Sequence, residues 1–446
     1  MKQTGRSGED PAELLLKAGK LNLIYSNGFI RYISAGSNEL IRMIYSAVRD
    51  KDWLTITPVI EDEKIEVQEN SFLITMKCLY KSREINFSAS YLIEGGKDNS
   101  ITLSMEGKAL ENSLKNRIGW CVLHPVEDCA GENCLIEHTD GSTEQSGFPE
   151  DITPNQVFRD IKSLIWMSNR IRCRIDFEGD IFETEDQRNW TDASFKTYST
   201  PLSIPYPSIL EKDNVVSQRI TFRADLISDA LHNTAETTIL KLIPDETFRI
   251  PEVDICRSGR LLPLTKNEIK YLRAVSFDHY RVDLHLFERD WRIKANQAAI
   301  ESSDLGYPME LALFFDNNIT TCINNFLKWY SGNKLNVTSI LLFHREYPST
   351  SHDLASKVIP LLKKEDPEVK TGIGTNANFA QLNRNRPSDA GNDFICFSIH
   401  PQEHASDNTT LTENLKAQEY SIRSAQKFAG NKGIIVSPVT IQRRFN

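Results

Sequence analysis

Two short polar stretches combine histidine and carboxylate side chains at spacings that suit catalysis. His344 and Glu346 lie two residues apart in FHREYPST, so an extended strand would point both to the same face. The stretch SIHPQEHASDN supplies the second set, which is His400, Glu403 and His404. A carboxylate beside a histidine can take a proton from water and direct that water at an ester or lactone carbonyl. We therefore predict Glu346 or Glu403 as general base, with the histidines assisting; a solvated loop is the alternative for the second set.

Groups that suit substrate binding follow neighbouring stretches of apolar sequence. HYRVDLHL contains Arg281 and Asp283, and GIGTNANFAQLNRNRP contains Asn376, Asn378 and Arg384. Such side chains hold hydroxyl groups, and the donors among them stabilise an oxyanion. Two alternatives stay open: Arg281 and Asp283 form a structural ion pair, and the asparagine-rich stretch is a polar loop.

The stretch EDQRNWTDASFKTYSTPLS adds Asp192 to the binding candidates. Its alternation predicts a strand with Trp190, Asp192, Ser194 and Lys196 on one face. Either Asp192 pairs with Lys196 in a seam between domains, or this strand closes one side of the substrate pocket.

Other hydrolytic chemistries fit the sequence less well. Barrel glycosidases need two carboxylates across the scissile bond, usually after strands four and seven. Glu346 suits the first position, but VSPVTIQRRF contains no carboxylate for the second. A glycoside hydrolase is therefore the alternative function. No GxSxG motif marks a serine nucleophile. We predict no cofactor and no metal ligand, although a route through a metal held by His400 and His404 stays open.

The second half of the sequence predicts the elements that position these residues. Seven apolar runs of strand length recur with helical patterns between several of them: PEVDIC, HYRVDLHL, PMELALFF, VTSILLFHRE, EVKTGIGT, DFICFSIH and GIIVSPVT. Among the helical patterns, ITTCINNFLKWY has one apolar face, and LTENLKAQEYSIRSAQKFAG predicts a single helix from Thr410 to Gly430. Such alternation predicts a parallel sheet, and the count favours a (β/α)₈ barrel with seven visible strands. Active residues of barrels lie at the carboxyl ends of strands, so we expect Glu346, Glu403 and the nearby histidines, including His400, to surround one hollow. Within the third run, Glu310 is either functional or a buried carboxylate paired with Arg281.

The first half predicts a β-rich domain that resembles a sandwich. Short runs with alternating hydrophobicity are separated by turn residues, and Asn27-Gly28 predicts a tight hairpin. We place the domains at 1–235 and 236–446. The net charge of −9 argues against nucleic-acid binding. Without a secretory signal, a long apolar segment or a clear pattern in its eight cysteines, the chain is predicted to be cytoplasmic, with reduced thiols. A loop disulfide or half a metal site at Cys129 and Cys134 is the alternative.

Several motifs resemble the D-apionate lactonase family. They are EDQRNWTDASFKTYSTPLS, GIGTNANFAQLNRNRP, FSIHPQEHASDN and VSPVTIQRRFN, together with IGWCVLHP, HTDG and FP nearer the amino terminus. The resemblance implies hydrolysis of D-apionolactone to D-apionate in the breakdown of D-apiose, so that the binding partner is a small sugar lactone. It also implies a β-rich amino-terminal domain, a barrel and a small carboxy-terminal domain. Family members continue past the RFN motif, whereas this sequence stops at Asn446. A last strand and a final domain are thus expected to be missing, and a truncated inactive member is a further alternative.

Overall fold

The protein is described by a computed structural model that covers residues 12–226, 250–259, 262–333, 335–405 and 407–441. Contacts divide the chain into two compact units. The first comprises residues 1–188, 192–237 and 415–417, and the second comprises 189–191, 238–414 and 418–446. The predicted boundary at 235/236 falls outside the described residues and stays a prediction.

The first unit is mostly β-structure. Its strands pair into one connected antiparallel system. In chain order they are β1 Leu14–Ala18, β2 Leu21–Ser26, β3 Phe29–Ala35, β4 Asn38–Asp50, β5 Val59–Gln68, β6 Ser71–Lys81, β7 Asn86–Gly95, β8 Ser100–Ala109, β9 Ser113–Pro125, β10 Asn133–His138, β11 Thr143–Gly147, β12 Phe158–Ser168, β13 Ile171–Glu178, β14 Phe182–Asp186, β15 Ser194–Ser199, β16 Ser208–Leu210 and β17 Val215–Leu226. A short helix, α1, spans Val126–Cys129.

Local sequence explains these strands well. In β8, buried and more exposed residues alternate, as the pleat of a sheet with one covered face requires. The Asn27-Gly28 hairpin is confirmed, because Ser26 pairs with Phe29 and both turn residues have positive φ angles of 48° and 88°. Cys129 lies in α1 and Cys134 in β10, and both are free thiols. The structure therefore does not show the loop disulfide.

The strand predicted through Trp190 and Asp192 is wrong in part. β14 ends at Asp186, a 3₁₀ turn spans Gln187–Trp190, and β15 begins only at Ser194. Trp190 and Asp192 therefore do not share a strand face with Lys196. Asp192 is buried, and the amine of Lys196 pairs with Glu185 at 2.5 Å.

The core of the first unit contains a fully buried histidine, His124 of β9. Its Nε2 lies 2.9 Å from Oγ1 of Thr197, and its ring packs against the rings of Phe148 and Trp166. Burial lowers the pKa of His124 from 6.5 to about 3, because an imidazolium would lose its hydration there. His124 is thus neutral in the native protein over the whole physiological range.

Acidification is therefore expected to destabilise the first unit through His124. The unfolded chain gains a proton near pH 6.5 while the folded chain stays neutral, so the stability present above pH 6.5 is lost as the pH falls toward 3. Between pH 7 and pH 5 this single group should lower the free energy of unfolding by about 2 kcal/mol. Urea titrations of the wild type and of His124→Gln at both pH values check this. An equal loss in both proteins would contradict the assignment.

The second unit contains a parallel seven-stranded sheet in sequential order. Its strands are β18 Asp254–Cys256, β19 His279–His285, β20 Met309–Phe315, β21 Val337–His344, β22 Lys370–Asn378, β23 Phe394–Ile399 and β24 Gly433–Val439. Its helices are α2 Lys266–Val275, α3 Trp291–Leu305, α4 Ile319–Tyr330, α5 His352–Glu365, α6 Phe379–Arg384, α7 Asn408–Glu413 and α8 Ala417–Ala429, with a 3₁₀ turn at Asn414–Lys416. All seven predicted strands are confirmed.

Capping residues and apolar faces explain the helices. Thr265 and Glu268 form a reciprocal capping box at the start of α2, and Ser351 caps α5. The apolar stripe predicted for α4 is buried at Cys322 and Phe326, among other positions. The single helix predicted from Thr410 to Gly430 is instead divided between α7 and α8.

Alternate residues of the parallel strands point into a shared core. Ala312, Leu341, Phe343 and Cys396 form one buried apolar cluster there, on three different strands. The backbones of β22 and β23 approach closely at Gly374, where an added Cβ would lie 2.0 Å from the carbonyl oxygen of Cys396. Only glycine fits at this position. No described helix is long and apolar enough to cross a bilayer.

Candidate functional site

The carboxyl end of β21 presents the first predicted pair, His344 and Glu346. The backbone N–H of Glu346 donates to Nδ1 of His344 at 3.1 Å, and Nδ2 of Asn317 donates to Oε2 of Glu346 at 3.0 Å. His344 is buried, whereas Glu346 is exposed. Because Nδ1 of His344 accepts a hydrogen bond, its neutral ring carries the proton on Nε2. His344 thus fixes the backbone of Glu346, and Asn317 orients the carboxylate.

Arg281 lies at the centre of a buried polar network inside the sheet. Its guanidinium donates to Oδ1 of Asp283 at 2.9 Å and to Oδ1 of Asn376 at 2.6 Å. It also donates to Oγ of Ser437 at 2.9 Å. Arg281 is fully buried, and it touches polar groups on three strands. The three predicted binding residues Arg281, Asp283 and Asn376 are therefore brought together, with the arginine holding the other two.

Electrostatic interactions oppose the effect of burial in this network. Burial alone would lower the pKa of Arg281, but the carboxylates of Asp283 and Glu310 raise it above its usual value. Glu310 is also buried, and burial raises its pKa while Arg281 opposes that rise. Arg281 Nη1 lies 4.0 Å from Oε1 of Glu310, in line with the predicted pairing of these two side chains.

Asn378 ends β22 and has a buried amide. The side chain is 1% exposed, and neither its nitrogen nor its oxygen has a hydrogen-bond partner among the described residues. Its strand neighbour is Ser398 of β23, which is also buried. An unpartnered amide in a protein interior costs about 1–3 kcal/mol, so such groups need an explanation. A ligand that bonds to the amide is one such explanation.

The remaining candidates lie around the ends of β22 and β23. His400 is buried, with Nδ1 2.9 Å from Oγ1 of Thr440. Trp190 belongs to the second unit. The guanidinium of Arg384 lies 5.0 Å from the centre of the Trp190 ring, and the centre of the His404 ring lies 5.8 Å from it. Trp190 therefore links two predicted site residues. Glu403 is half-buried in the same segment.

The structure thus forms three local groups from the predicted residues. Hydrogen bonds join Glu346 to His344, and Arg281 to Asp283 and Asn376, while Trp190 lies between Arg384 and His404. A common hollow around Glu346 and His400 stays a prediction. Asn317 is an addition that the sequence did not single out, and Trp190 was named only as a member of a predicted strand face. The FFDNN run after the third apolar stretch placed Asn317 at a strand end, which is the signal that marked the other candidates.

Replacing Asn378 with leucine is expected to stabilise the protein and impair catalysis. Leucine keeps the branched shape of asparagine and removes the unpartnered amide, so the free energy of unfolding should rise by about 1 kcal/mol. If the amide binds substrate, as predicted from its strand-end position, the substitution should lower kcat/KM for lactone hydrolysis at least about tenfold. Urea unfolding and initial rates measure both effects, with exposed Asn385→Leu as control. Lower stability with unchanged turnover would show instead that the amide is structural.

Comparison with known proteins decides the family. The N-terminal domain of D-apionate lactonase matches residues 1–226, and the TIM barrel domain of D-apionate lactonase matches residues 256–446. The chain belongs to the D-apionate lactonase family. The resemblance seen in the motifs is confirmed. So is the predicted enzyme class, a hydrolase that acts on a lactone ester. The TIM-barrel type of the second domain is supported, while a sandwich in the first domain stays a prediction.

Individual relatives share only a low sequence identity with this chain. A D-apionate lactonase from Brucella anthropi is 27% identical over 450 residues, which is 97% of this chain and 73% of that protein. Among solved structures, the Slr1438 protein of Synechocystis sp. PCC 6803 is similar with a TM-score of 0.34 and 9% identity, over 51% of this chain and all of that one. A GalM/aldose epimerase homologue from C. elegans gives 0.30 and 8%, over 49% of this chain and 100% of its own. TM-scores this low do not support an inference about function.

Proposed function

We propose that this D-apionate lactonase family member hydrolyses D-apionolactone to D-apionate, in the breakdown of D-apiose. The observation that carries the proposal is the match of both domains to one lactonase family, over 1–226 and 256–446. A small sugar lactone as partner and a cytoplasmic location belong to the same proposal. The substrate presents a ring ester and several hydroxyl groups, and the polar strand ends of the second unit offer matching donors and acceptors.

Glu346 is proposed to act as general base. It is exposed at the end of β21, and Asn317 occupies one carboxylate oxygen while the other remains to take a proton from water. The water then attacks the lactone carbonyl, which becomes a tetrahedral oxyanion. His344 acts as a positioning residue, because it accepts the backbone N–H of Glu346.

Asn376 and Asn378 are proposed to bind the carbonyl oxygen or neighbouring hydroxyls. Arg281 holds the oxygen of Asn376 at 2.6 Å, which leaves the amide N–H groups of Asn376 to donate elsewhere. Asn378 contributes the unpartnered amide described above. Donors fixed in place before the reaction stabilise an oxyanion more than mobile water does. Arg281 and Asp283 act through Asn376 in this scheme.

The leaving group requires a proton. When the tetrahedral intermediate collapses, the ring C–O bond breaks and the released alkoxide becomes a hydroxyl. His400 and His404 are the proposed donors, assisted by Glu403, and Arg384 binds the substrate from the same segment. The first proton passes from water to Glu346, and the second passes from a protonated histidine to the leaving oxygen. Glu346 then releases its proton to solvent, and the histidine takes one up, so both groups return to their starting states.

A direct assay tests the proposal. The purified chain is incubated with D-apionolactone near pH 7, and acid release is followed with an indicator against the spontaneous rate. Turnover of the lactone, without cleavage of a panel of nitrophenyl glycosides, is the expected result. Cleavage of a glycoside with no acceleration of lactone opening would replace the proposal with the glycosidase alternative. Comparison with other five-membered sugar lactones defines the preference.

A further inference from the structure

Three side chains of the types that bind metal ions in proteins lie together at the amino ends of β18, β19 and β20. They are Asp254, His279 and Glu310, and one ligand atom from each lies within 4.8 Å of the others. Asp254 and His279 are neighbours in the register of the adjacent parallel strands β18 and β19. Nε2 of His279 is 3.7 Å from Oε2 of Glu310. We propose that these three side chains bind one divalent cation. These residues lie at the opposite strand ends from Glu346, and Glu310 shares Ser437 with Arg281. Binding of the ion does not depend on the proposed reaction.

The charges around the three residues favour a cation. Three carboxyl groups, those of Asp254, Glu310 and nearby Asp283, are gathered around one guanidinium, that of Arg281. Arg281 is 2.9 Å from Asp283 and 4.0 Å from Glu310, so its closest ion pair is with the carboxyl group outside the proposed site. Burial of carboxylates without enough cations is costly, and a divalent cation would remove that cost.

The hydrogen bonds of the two carboxylates also fit metal ligation. Oδ2 of Asp254 is buried and has no hydrogen-bond partner among the described residues. Glu310 is held from the far side, because Ser437 donates to Oε1 at 2.9 Å and Ser339 donates to Oε2 at 3.3 Å. Outer partners of this kind orient ligands in known metal sites. One carboxylate is thus fixed in place, and the other has an oxygen that lacks a partner.

The ligand set suits Zn²⁺ or Mn²⁺. Imidazole favours zinc, carboxylate oxygens favour manganese, and both ions accept a mixture of the two with water in the remaining positions. The ion would connect three consecutive strands at the end of the sheet away from the candidate catalytic groups, where barrel residues serve stability. Its expected effect is therefore a more stable second unit.

Metal titration of the full chain tests the site without an activity assay. Tag-free protein is stripped with EDTA, and free Mn²⁺ is counted by electron paramagnetic resonance, since manganese avoids the cysteine thiols. Zn²⁺ is then added as competitor. We expect one Mn²⁺ per chain, its displacement by Zn²⁺, and a rise in Tm of about 5 °C at saturating metal. Absence of saturable binding by either ion would overturn the proposal.

Variants then locate the ion. Asp254→Asn and His279→Gln should each weaken binding at least about tenfold, whereas exposed His352→Gln should bind like the wild type. Circular dichroism confirms that each variant is folded. Wild-type affinity in both folded site variants would place the ion elsewhere and reject the proposed ligands. If one variant fails to fold, the affinity of the other variant and the stoichiometry of the wild type still show whether these residues bind the ion.

Discussion

Replacing Glu346 with glutamine is expected to lower kcat/KM for lactone hydrolysis by about 10²- to 10⁴-fold, the usual contribution of a general base. Glutamine keeps the shape of the side chain and can still accept the hydrogen bond from Asn317, but it cannot take a proton from water. Because Glu346 is exposed, the free energy of unfolding should change by less than about 0.5 kcal/mol. The variant therefore distinguishes an effect on the catalytic step from an effect on stability.

Steady-state rates across pH, with urea unfolding on the same samples, measure both quantities. Glu368→Gln is the matched control, since Glu368 is also exposed and lies at the opposite end of the neighbouring strand. Turnover of Glu346→Gln at the wild-type rate would remove Glu346 from the mechanism and make Glu403 the remaining candidate. A parallel loss in Glu368→Gln would point to a general effect of charge.

Replacing Arg281 with methionine should destabilise the second unit by about 3–5 kcal/mol. The guanidinium is the positive partner of Asp283 and Glu310, and it also bonds to Asn376 and Ser437. Methionine fills similar space but leaves the buried Glu310 and the partly buried Asp283 without the guanidinium, so the comparison is made on metal-free protein. The loss is far larger than the effect of an exposed ion pair, which is about 0–1 kcal/mol.

Urea unfolding of Arg281→Met, with exposed Arg273→Met as control, measures the effect. If the variant unfolds during expression, Arg281→Lys provides a milder test, since lysine keeps the charge but not the three-way geometry. A loss below about 1 kcal/mol in Arg281→Met would contradict a central structural role for this residue.

Periodicity predicted most of the elements that carry the site. The seven parallel strands, α4 and the hairpin at Asn27-Gly28 follow from local sequence, because burial on one or both faces leaves a pattern in the chain. The turn at Gln187–Trp190 left no such pattern, since its alternating polar residues also suit a strand. The break between α7 and α8 was missed for a related reason, as NLK contains neither glycine nor proline, and its asparagine alone was a weak signal.

The contacts within the site depended on strand register, which one sequence does not reveal. Arg281 and Asn376 are far apart in the chain and meet because alternate residues of every strand face the same interior. Asp254, His279 and Glu310 come together in the same way, from three separate strand ends. Strand-end position was enough to select Glu346 and Asn378, but not to show that one is exposed and the other buried.

The pairing of β17 bears on how the first unit assembles. This strand lies between β8 and β13 and pairs with both of them. Both partners precede it in the chain, so they are synthesised before it. Until residue 226 leaves the ribosome, both neighbours keep an open edge that other chains can join. The first unit therefore completes its fold only at the end of its own synthesis, and it needs protection from aggregation until then.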